Sequence, residues 1–364
     1  MKEIRVLHLD TELGWRGGQQ QAIYLHKGLC DLGVYSDFAC RKASALKSRL
    51  QKTELPFKCF RYWGEADILA GRSLAAYARH QGINILHLHS AHALSWGLNA
   101  KLFFPELKLV ATRRVDFPIQ KNQVSRAKYF SPKLDALVAI SENIRQVLLA
   151  DGIPEDKINL IHSGVDIHRF EQDEPAPDFR EKYGIPADAI LVGTVAAFVT
   201  HKDYPNLITA AAMAKAANPK LCFIALGDGG KFLKMQRLAR DLGIADSFLF
   251  LGYQERIGSF LKAFDIFVLA SYKEGLGTSV LDAMTVGLPV IGTKAGGIAE
   301  MIEDKLSGLL VEKRNPEALA QAILALADSP DTRKQMGANA LRRVQNFSKE
   351  QMITANLELY KTLL

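Results

Sequence analysis

Residues 274–297 read EGLGTSVLDAMTVGLPVIGTKAGG. Glu274 opens a glycine-rich loop, Gly275-Leu276-Gly277-Thr278, and Asp282 stands eight positions on, inside an apolar run of helical period. Pro289 then leads a short β-branched strand, and Gly296-Gly297 opens a further helix. The stretch is therefore two strand-to-helix turns in succession, with glycine and an acid where a backbone can approach a ligand closely.

The same rhythm extends outward in both directions. Upstream lie ILVGTVAAF, KLCFIALG, SFLFLG and IFVLAS, and downstream SGLLVE, separated by amphipathic segments. The first half repeats it with IRVLHLD, YSDFAC, INILHLH, LKLVATRR and LDALVAIS. These runs lack strict alternation, so they read as strands buried on both faces of a parallel sheet. The predicted class is α/β, with two doubly wound, Rossmann-like halves. Between them, residues 171–189, EQDEPAPDFREKYGIPADA, are acidic, proline-rich and without strand pattern, the composition of a linker or an entry segment.

Composition agrees with two cores and excludes several classes. The 364 residues are 48% hydrophobic, enough for two ordinary domains. No run of 18 apolar residues occurs, and the first ten residues end in an acid, so neither a membrane span nor a signal peptide is expected and the protein is placed in the cytoplasm. Cys30, Cys40, Cys59 and Cys222 form no CxxC pair, which argues against structural zinc and fits a reducing compartment. The net charge of +7 lies wholly in residues 1–167, which carry 23 Lys and Arg against 16 Asp and Glu. A basic half beside a neutral one suggests an anionic partner for the first half.

In doubly wound sheets chemistry gathers beyond the carboxyl ends of the strands. The candidates there are Gly17 and Gly18 entering a helix, Lys202 with His201 after ILVGTVAAF, Gly227 and Gly229 in LGDGG, and the loop from Glu274. None is a GxGxxG fingerprint, and each alone is unspecific. His87, His89 and His92 in HLHSAHA invite a metal reading, but no carboxylate or fourth ligand is spaced beside them, and no metal is expected.

Taken in order, these pieces resemble the retaining glycosyltransferases of family four, group 1, with the GT-B fold. The resemblance rests on EGLGTSVLDAM, GLPV and GTKAGG, on IHSGVDIHRF near the domain junction, and on Lys202, and it covers nearly the whole chain. It implies two Rossmann-like domains with a cleft between them: residues 1–167 on the acceptor side, joined by a returning helix at about 347–364, and residues 168–346 binding a nucleotide-sugar. By the same resemblance Glu274 holds the donor sugar, Asp282 replaces a glutamate that bonds the ribose, and Gly275, Leu276, Gly277 and Thr278 offer amides to the diphosphate. Gly17, Gly18, His201, Gly227 and Gly229 complete the donor set, and Lys202, Glu274 and Arg113 are the catalytic candidates. His89, His92, Arg114 and Asp116 are expected on the acceptor side.

Three departures from the family pattern stand out. Asp282 is one methylene shorter than the glutamate, Phe198 occupies a position commonly arginine, and ATRRVDF supplies Arg113, Arg114 and Asp116 where many members have histidine. Ser163 stands where the family usually has asparagine.

The expectation is a sugar transfer that needs no cofactor or metal. The donor is a UDP-, GDP- or ADP-sugar and the acceptor a glycan or lipid-linked molecule of the bacterial cell surface, such as lipopolysaccharide. Basic residues Arg41, Lys42, Lys47, Arg49 and Lys52 allow peripheral contact with an anionic inner membrane, and no nucleic acid is expected. A GT-B-shaped nucleotide-sugar epimerase and a bilobal sugar-binding protein are the alternatives.

Overall fold

The computed structural model describes residues 3–61, 64, 67–119 and 123–364. Met1–Gly164 with Lys349–Leu364 form one compact unit and Val165–Ser348 a second.

The first unit begins with β1 (Arg5–Asp10), α1 (Gly17–Asp31), β2 (Tyr35–Arg41), α2 (Ala45–Leu50), β3 (Phe57–Phe60) and α3 (Ile68–His80). It continues through β4 (Ile85–Leu88), α4 (Ala91–Phe103), β5 (Lys108–Arg113), α5 (Gln123–Tyr129), β6 (Ala136–Ala139), α6 (Glu142–Ala150) and β7 (Ile158–Leu160). The parallel sheet runs β3-β2-β1-β4-β5-β6-β7, so strand order reverses between β1 and β4. β4 and β6 are buried along their whole length, which is why their sequence reads as continuous apolar runs. Ser90 and Ser141 accept the Ala93 and Ile144 amides at the starts of α4 and α6, removing orphan donors there.

The second unit contains α7 (Phe179–Lys182), β8 (Ile190–Val195), α8 (Tyr204–Ala217), β9 (Leu221–Leu226), α9 (Phe232–Asp241), β10 (Phe248–Phe250) and α10 (Gly258–Ala263). Then come β11 (Ile266–Leu269), α11 (Thr278–Thr285), β12 (Val290–Thr293), α12 (Ile298–Met301), β13 (Gly308–Val311), α13 (Pro316–Ala327) and α14 (Pro330–Val344). Its sheet is β10-β9-β8-β11-β12-β13, again with the reversal beside the first strand. The chain then returns to the first unit as α15 (Lys349–Leu363). α15 packs so closely on α1 that a Cβ at Gly28 would fall 2.1 Å from Ile353 Cδ1.

Two expectations are corrected. Residues 171–189 are no linker: Phe179, Ile185 and Ala189 are buried, Phe179 meets Phe260 edge to face, and Arg180 donates to the carbonyls of Pro186 and Ala189. Three apolar anchors suffice to pack an otherwise polar segment onto its own unit. The strands β3 and β7 have no counterpart among the sequence runs; each is a short edge strand of three or four residues.

Candidate active site

In the second unit Lys202 follows β8 and Glu274 follows β11, neighbouring strands at the point where strand order reverses. Topology thus joins residues 72 positions apart: Lys202 Nζ forms an ion pair with Glu274 Oε2, and both side chains are largely withdrawn from water. Ser271 Oγ donates to the same carboxylate oxygen at 3.1 Å. The loop carrying Lys202 is a 3-10 turn, Thr200–Lys202, ended by Asp203 in left-handed conformation (φ 50°). The exposed His201 contributes its carbonyl, which accepts the Tyr272 amide at 2.9 Å and ties the two loops together.

Glycines let these loops touch. Gly277 caps the start of α11 at φ 91°, a conformation costly for any side chain. Gly296 is left-handed too, and a Cβ there would lie 1.7 Å from the Glu274 carbonyl oxygen; one at Gly297 would lie 2.7 Å from that of Gly275. Leu276 is buried and anchors the loop, leaving Gly277 and Thr278 to begin α11. The first-turn amides of an eight-residue helix therefore start three residues from Glu274, where negative charge is favoured.

Asp282 lies further along α11, its side chain mostly out of water, with Arg169 Nη1 3.4 Å from Oδ1. Burial raises its pKa to about 6, against the opposing pull of the Arg169 charge and hydrogen bond. Arg169 belongs to the quoted IHSGVDIHRF motif, yet sequence reasoning did not single it out. Gly227 and Gly229 answer to backbone packing: at φ 140° and 143° they press against the backbone of Ala196 and Phe198, where a Cβ would come within 2.1 and 2.7 Å. Phe198 is fully buried and stacked on Tyr204 at 4.0 Å, so Lys202 is the cation this loop offers at Glu274.

The first unit separates residues that the sequence placed together. Arg113 and Arg114 leave β5 towards opposite sides, as strand alternation requires. Arg113 is buried, donating to the Phe117 carbonyl at 2.7 Å and to the Tyr129 hydroxyl at 3.3 Å, with its guanidinium 5.0 Å above both rings. Arg114 turns towards α1. Its Nη1 lies 3.3 Å from Ser163 Oγ, and its Cδ is 3.1 Å from where a Gly18 Cβ would be. Burial lowers its pKa to about 10, opposed by the charge of Asp10. Asp116 is half-buried in the loop beyond.

Gly17 begins α1, and the turn before it is organised by a carboxylate the sequence reading missed. Asp10 accepts the Glu12 amide at 2.8 Å and Gln19 Nε2 at 3.0 Å, and burial raises its pKa. Gln21 clamps Gly164 from both sides, accepting its amide at 2.8 Å and donating to its carbonyl at 2.7 Å, which sets Ser163 beside Arg114.

The histidine grouping is corrected as well. His92 is exposed and lies 3.3 Å from Glu12, whereas His89 is buried and stacks on His87 with ring centres 4.3 Å apart. Their third neighbour is His8, which faces His87 across the β1–β4 register. Among the described residues these three could bring one nitrogen each within 4.8 Å. His8 and His89 instead bond one another at 2.9 Å, and His87 bonds Tyr360 and Thr112. Burial lowers the pKa of all three.

Comparison with known proteins agrees with this geometry. Residues 15–169 match the model of Glycosyltransferase Family 4 and residues 175–343 that of Glycosyl transferases group 1. The chain belongs to this family and is a glycosyltransferase of GT-B fold. The N-acetyl-alpha-D-glucosaminyl L-malate synthase of Bacillus anthracis is 26% identical over 306 residues, covering 82% of this chain and 80% of that protein. A D-inositol 3-phosphate glycosyltransferase of Streptomyces scabiei is 28% identical over 286 residues, 75% of this chain and 62% of the relative. Among solved structures, a Rickettsia africae glycosyltransferase superposes with a TM-score of 0.88 at 23% identity, over 100% of this chain and 99% of that one. Anabaena HepE in complex with UDP and glucose reaches 0.84 at 21% identity, with 99% of each chain covered.

Proposed function

We propose that the protein transfers a hexose from a nucleotide-sugar to an anionic or lipid-linked acceptor, with retention of anomeric configuration. The observation that carries the donor half is the ion pair of Lys202 and Glu274, three residues from the start of α11. In the free protein each holds the other. A bound diphosphate takes Lys202 as its cation, helped by the amides of α11, and leaves Glu274 with Ser271 to receive hydroxyls of the sugar. As the glycosidic bond lengthens, charge grows on the leaving diphosphate, and Lys202 stabilises that charge more strongly than it does the ground state. The departing phosphate oxygen takes the acceptor's proton, so no separate protein base is required on the donor side. Asp282, held by Arg169, offers acceptor oxygens to ribose hydroxyls.

A UDP-sugar is the donor favoured here, because HepE, of the same fold, is described with UDP-glucose. The acceptor reading rests on the positive first half and on Arg114, a buried guanidinium beside the start of α1. Two relatives are named for anionic acceptors, L-malate and inositol 3-phosphate. A bacterial lipopolysaccharide or polysaccharide role belongs to the same class, and a structural neighbour is a lipopolysaccharide outer core galactosyltransferase. Among the described residues no helix is long and apolar enough to cross a membrane, so lipid contact in this proposal is peripheral. Arg41 and Arg49 are partly engaged locally, with the Thr11 carbonyl and the Trp15 ring. The reaction proposed needs no metal.

A thermal-shift panel of UDP-, GDP- and ADP-sugars tests the donor class, since a ligand of the native state stabilises it by mass action. NMR of the sugar released by slow donor hydrolysis reads the anomer. A single nucleotide series that raises the melting temperature, with the α-sugar released first from an α-donor, is expected. No stabilisation by any of them, or an inverted first product, overturns the proposal.

A further inference from the structure

Hydrogen bonding in the first unit runs from the region of Arg114 to the returning helix. Tyr360 is fully buried on α15, and its hydroxyl lies 2.5 Å from His87 Nδ1. His87 Nε2 lies 2.6 Å from Thr112 Oγ1, two residues before Arg114. Burial holds the His87 imidazole neutral, with its pKa near 3, and the Tyr360 phenol protonated. The chain therefore has one direction: Tyr360 donates to Nδ1, and His87 keeps its proton on Nε2 and donates to Thr112.

A second set of groups meets beside it. His89 Nδ1, Arg114 Nε and Asn356 Oδ1 are all buried without a hydrogen-bond partner. Their three residues line one cavity of about 10 Å³, together with Gln21, Thr112 and Ser163. That is roughly the space one water centre needs, and buried polar atoms of this kind are the usual partners of internal water. The donors and acceptors also balance. A water accepts from Arg114 Nε–H and donates one proton to Asn356 Oδ1 and one to His89 Nδ1. His89 then carries its own proton on Nε2, directed at His8 Nδ1, 2.9 Å away.

We propose that α15 positions Arg114 and His89 from behind, Tyr360 through His87 and Thr112, and Asn356 through one internal water shared with His89 and Arg114. Asn356 and Tyr360 stand four residues apart and so share a face of the helix. The returning helix is then more than a tether: it fixes the rotamer of a buried cation and the tautomers of the histidines beside it. This rests on the acceptor-side reading only for what Arg114 finally touches, so the test reads imidazole protons and not turnover.

The experiment is long-range proton–nitrogen NMR of the full chain with labelled histidine, comparing wild type with Tyr360→Phe, Asn356→Leu and Asn356→Asp. Wild type should show His87 and His89 as neutral Nε2–H tautomers at pH 7. Tyr360→Phe should move His87 Nδ1 to the position of an unbonded lone pair. Asn356→Leu should shift His89 Nδ1 and leave His87 in place, and Asn356→Asp, which keeps an acceptor oxygen, should restore the His89 signal. A His87 proton on Nδ1 in wild type, or a His89 signal indifferent to Asn356→Leu, overturns the proposal. The wild-type tautomers decide it even if a variant does not fold. Unchanged tautomers alongside a failed donor panel would sink the enzymatic reading and leave this one standing.

Discussion

Replacing Asp282 with asparagine should stabilise the second unit at neutral pH. Burial lifts the Asp282 pKa from 3.8 to about 6 in spite of Arg169, and a shift of about 2 units corresponds to about 3 kcal/mol. The folded pKa lies above the unfolded one, so the native state binds more protons than the unfolded state between about pH 4 and pH 6. Stability from this group is fully present below pH 4, falls as pH rises through that window, and is level above it. Asparagine is nearly isosteric and does not titrate. It forfeits the ion pair with Arg169, whose side chain is 36% exposed, a loss of at most about 1 kcal/mol for so accessible a partner. The net gain is about 2 kcal/mol at pH 7.5 and near zero at pH 4, or roughly 4–8 °C in the melting of a unit this size. Calorimetry of both proteins from pH 4 to pH 8 is the assay. The reasoning is refuted if the difference between them does not change with pH, or if the variant melts lower at pH 7.5. The same variant should bind nucleoside diphosphate more weakly, because a carboxylate accepts two ribose hydroxyls where an amide accepts one.

Other consequences follow from the close contacts and the charge. Gly296→Ala places a methyl group 1.7 Å from the Glu274 carbonyl, so it should cost about 2 kcal/mol or more and lower turnover by displacing Glu274; chemical denaturation and initial rates check both. If the basic surface around Lys42, Lys47 and Lys52 meets anionic lipid, vesicle co-sedimentation should require anionic lipid and weaken as salt rises. Binding indifferent to both would remove that contact from the account. Lys202→Ala should lower catalytic efficiency roughly 10–150-fold, the worth of one charge-assisted contact of about 1.5–3 kcal/mol, and unchanged kinetics would take Lys202 out of the site.

What was legible in the sequence was whatever strand-to-helix punctuation writes locally. The buried parallel strands, the loop at Glu274 and the glycines that let backbones touch are all of this kind. The pairing of Lys202 with Glu274 was not, because it depends on β8 and β11 being neighbours at the reversal of strand order. The same holds for His8, which joins His87 only through the β1–β4 register, and for Tyr360, which arrives from 273 positions away. Arg113 and Arg114 were read as one cationic patch, although adjacent residues of a strand face opposite ways. Residues 171–189 looked like a linker because three buried anchors carry little weight in an acidic, proline-rich composition.

The central claim is that Glu274 holds the sugar while Lys202 holds the diphosphate, and calorimetric titration of Glu274→Gln tests it most directly. The titrants are the nucleoside diphosphate and the nucleotide-sugar of whichever series stabilises the wild type, with turnover of that nucleotide-sugar measured alongside. The account predicts that the variant binds the free diphosphate within about threefold of wild type, while turnover falls by roughly the 10–150-fold expected of a lost charged contact. Loss of diphosphate binding in equal measure, or turnover at the wild-type rate, would contradict it.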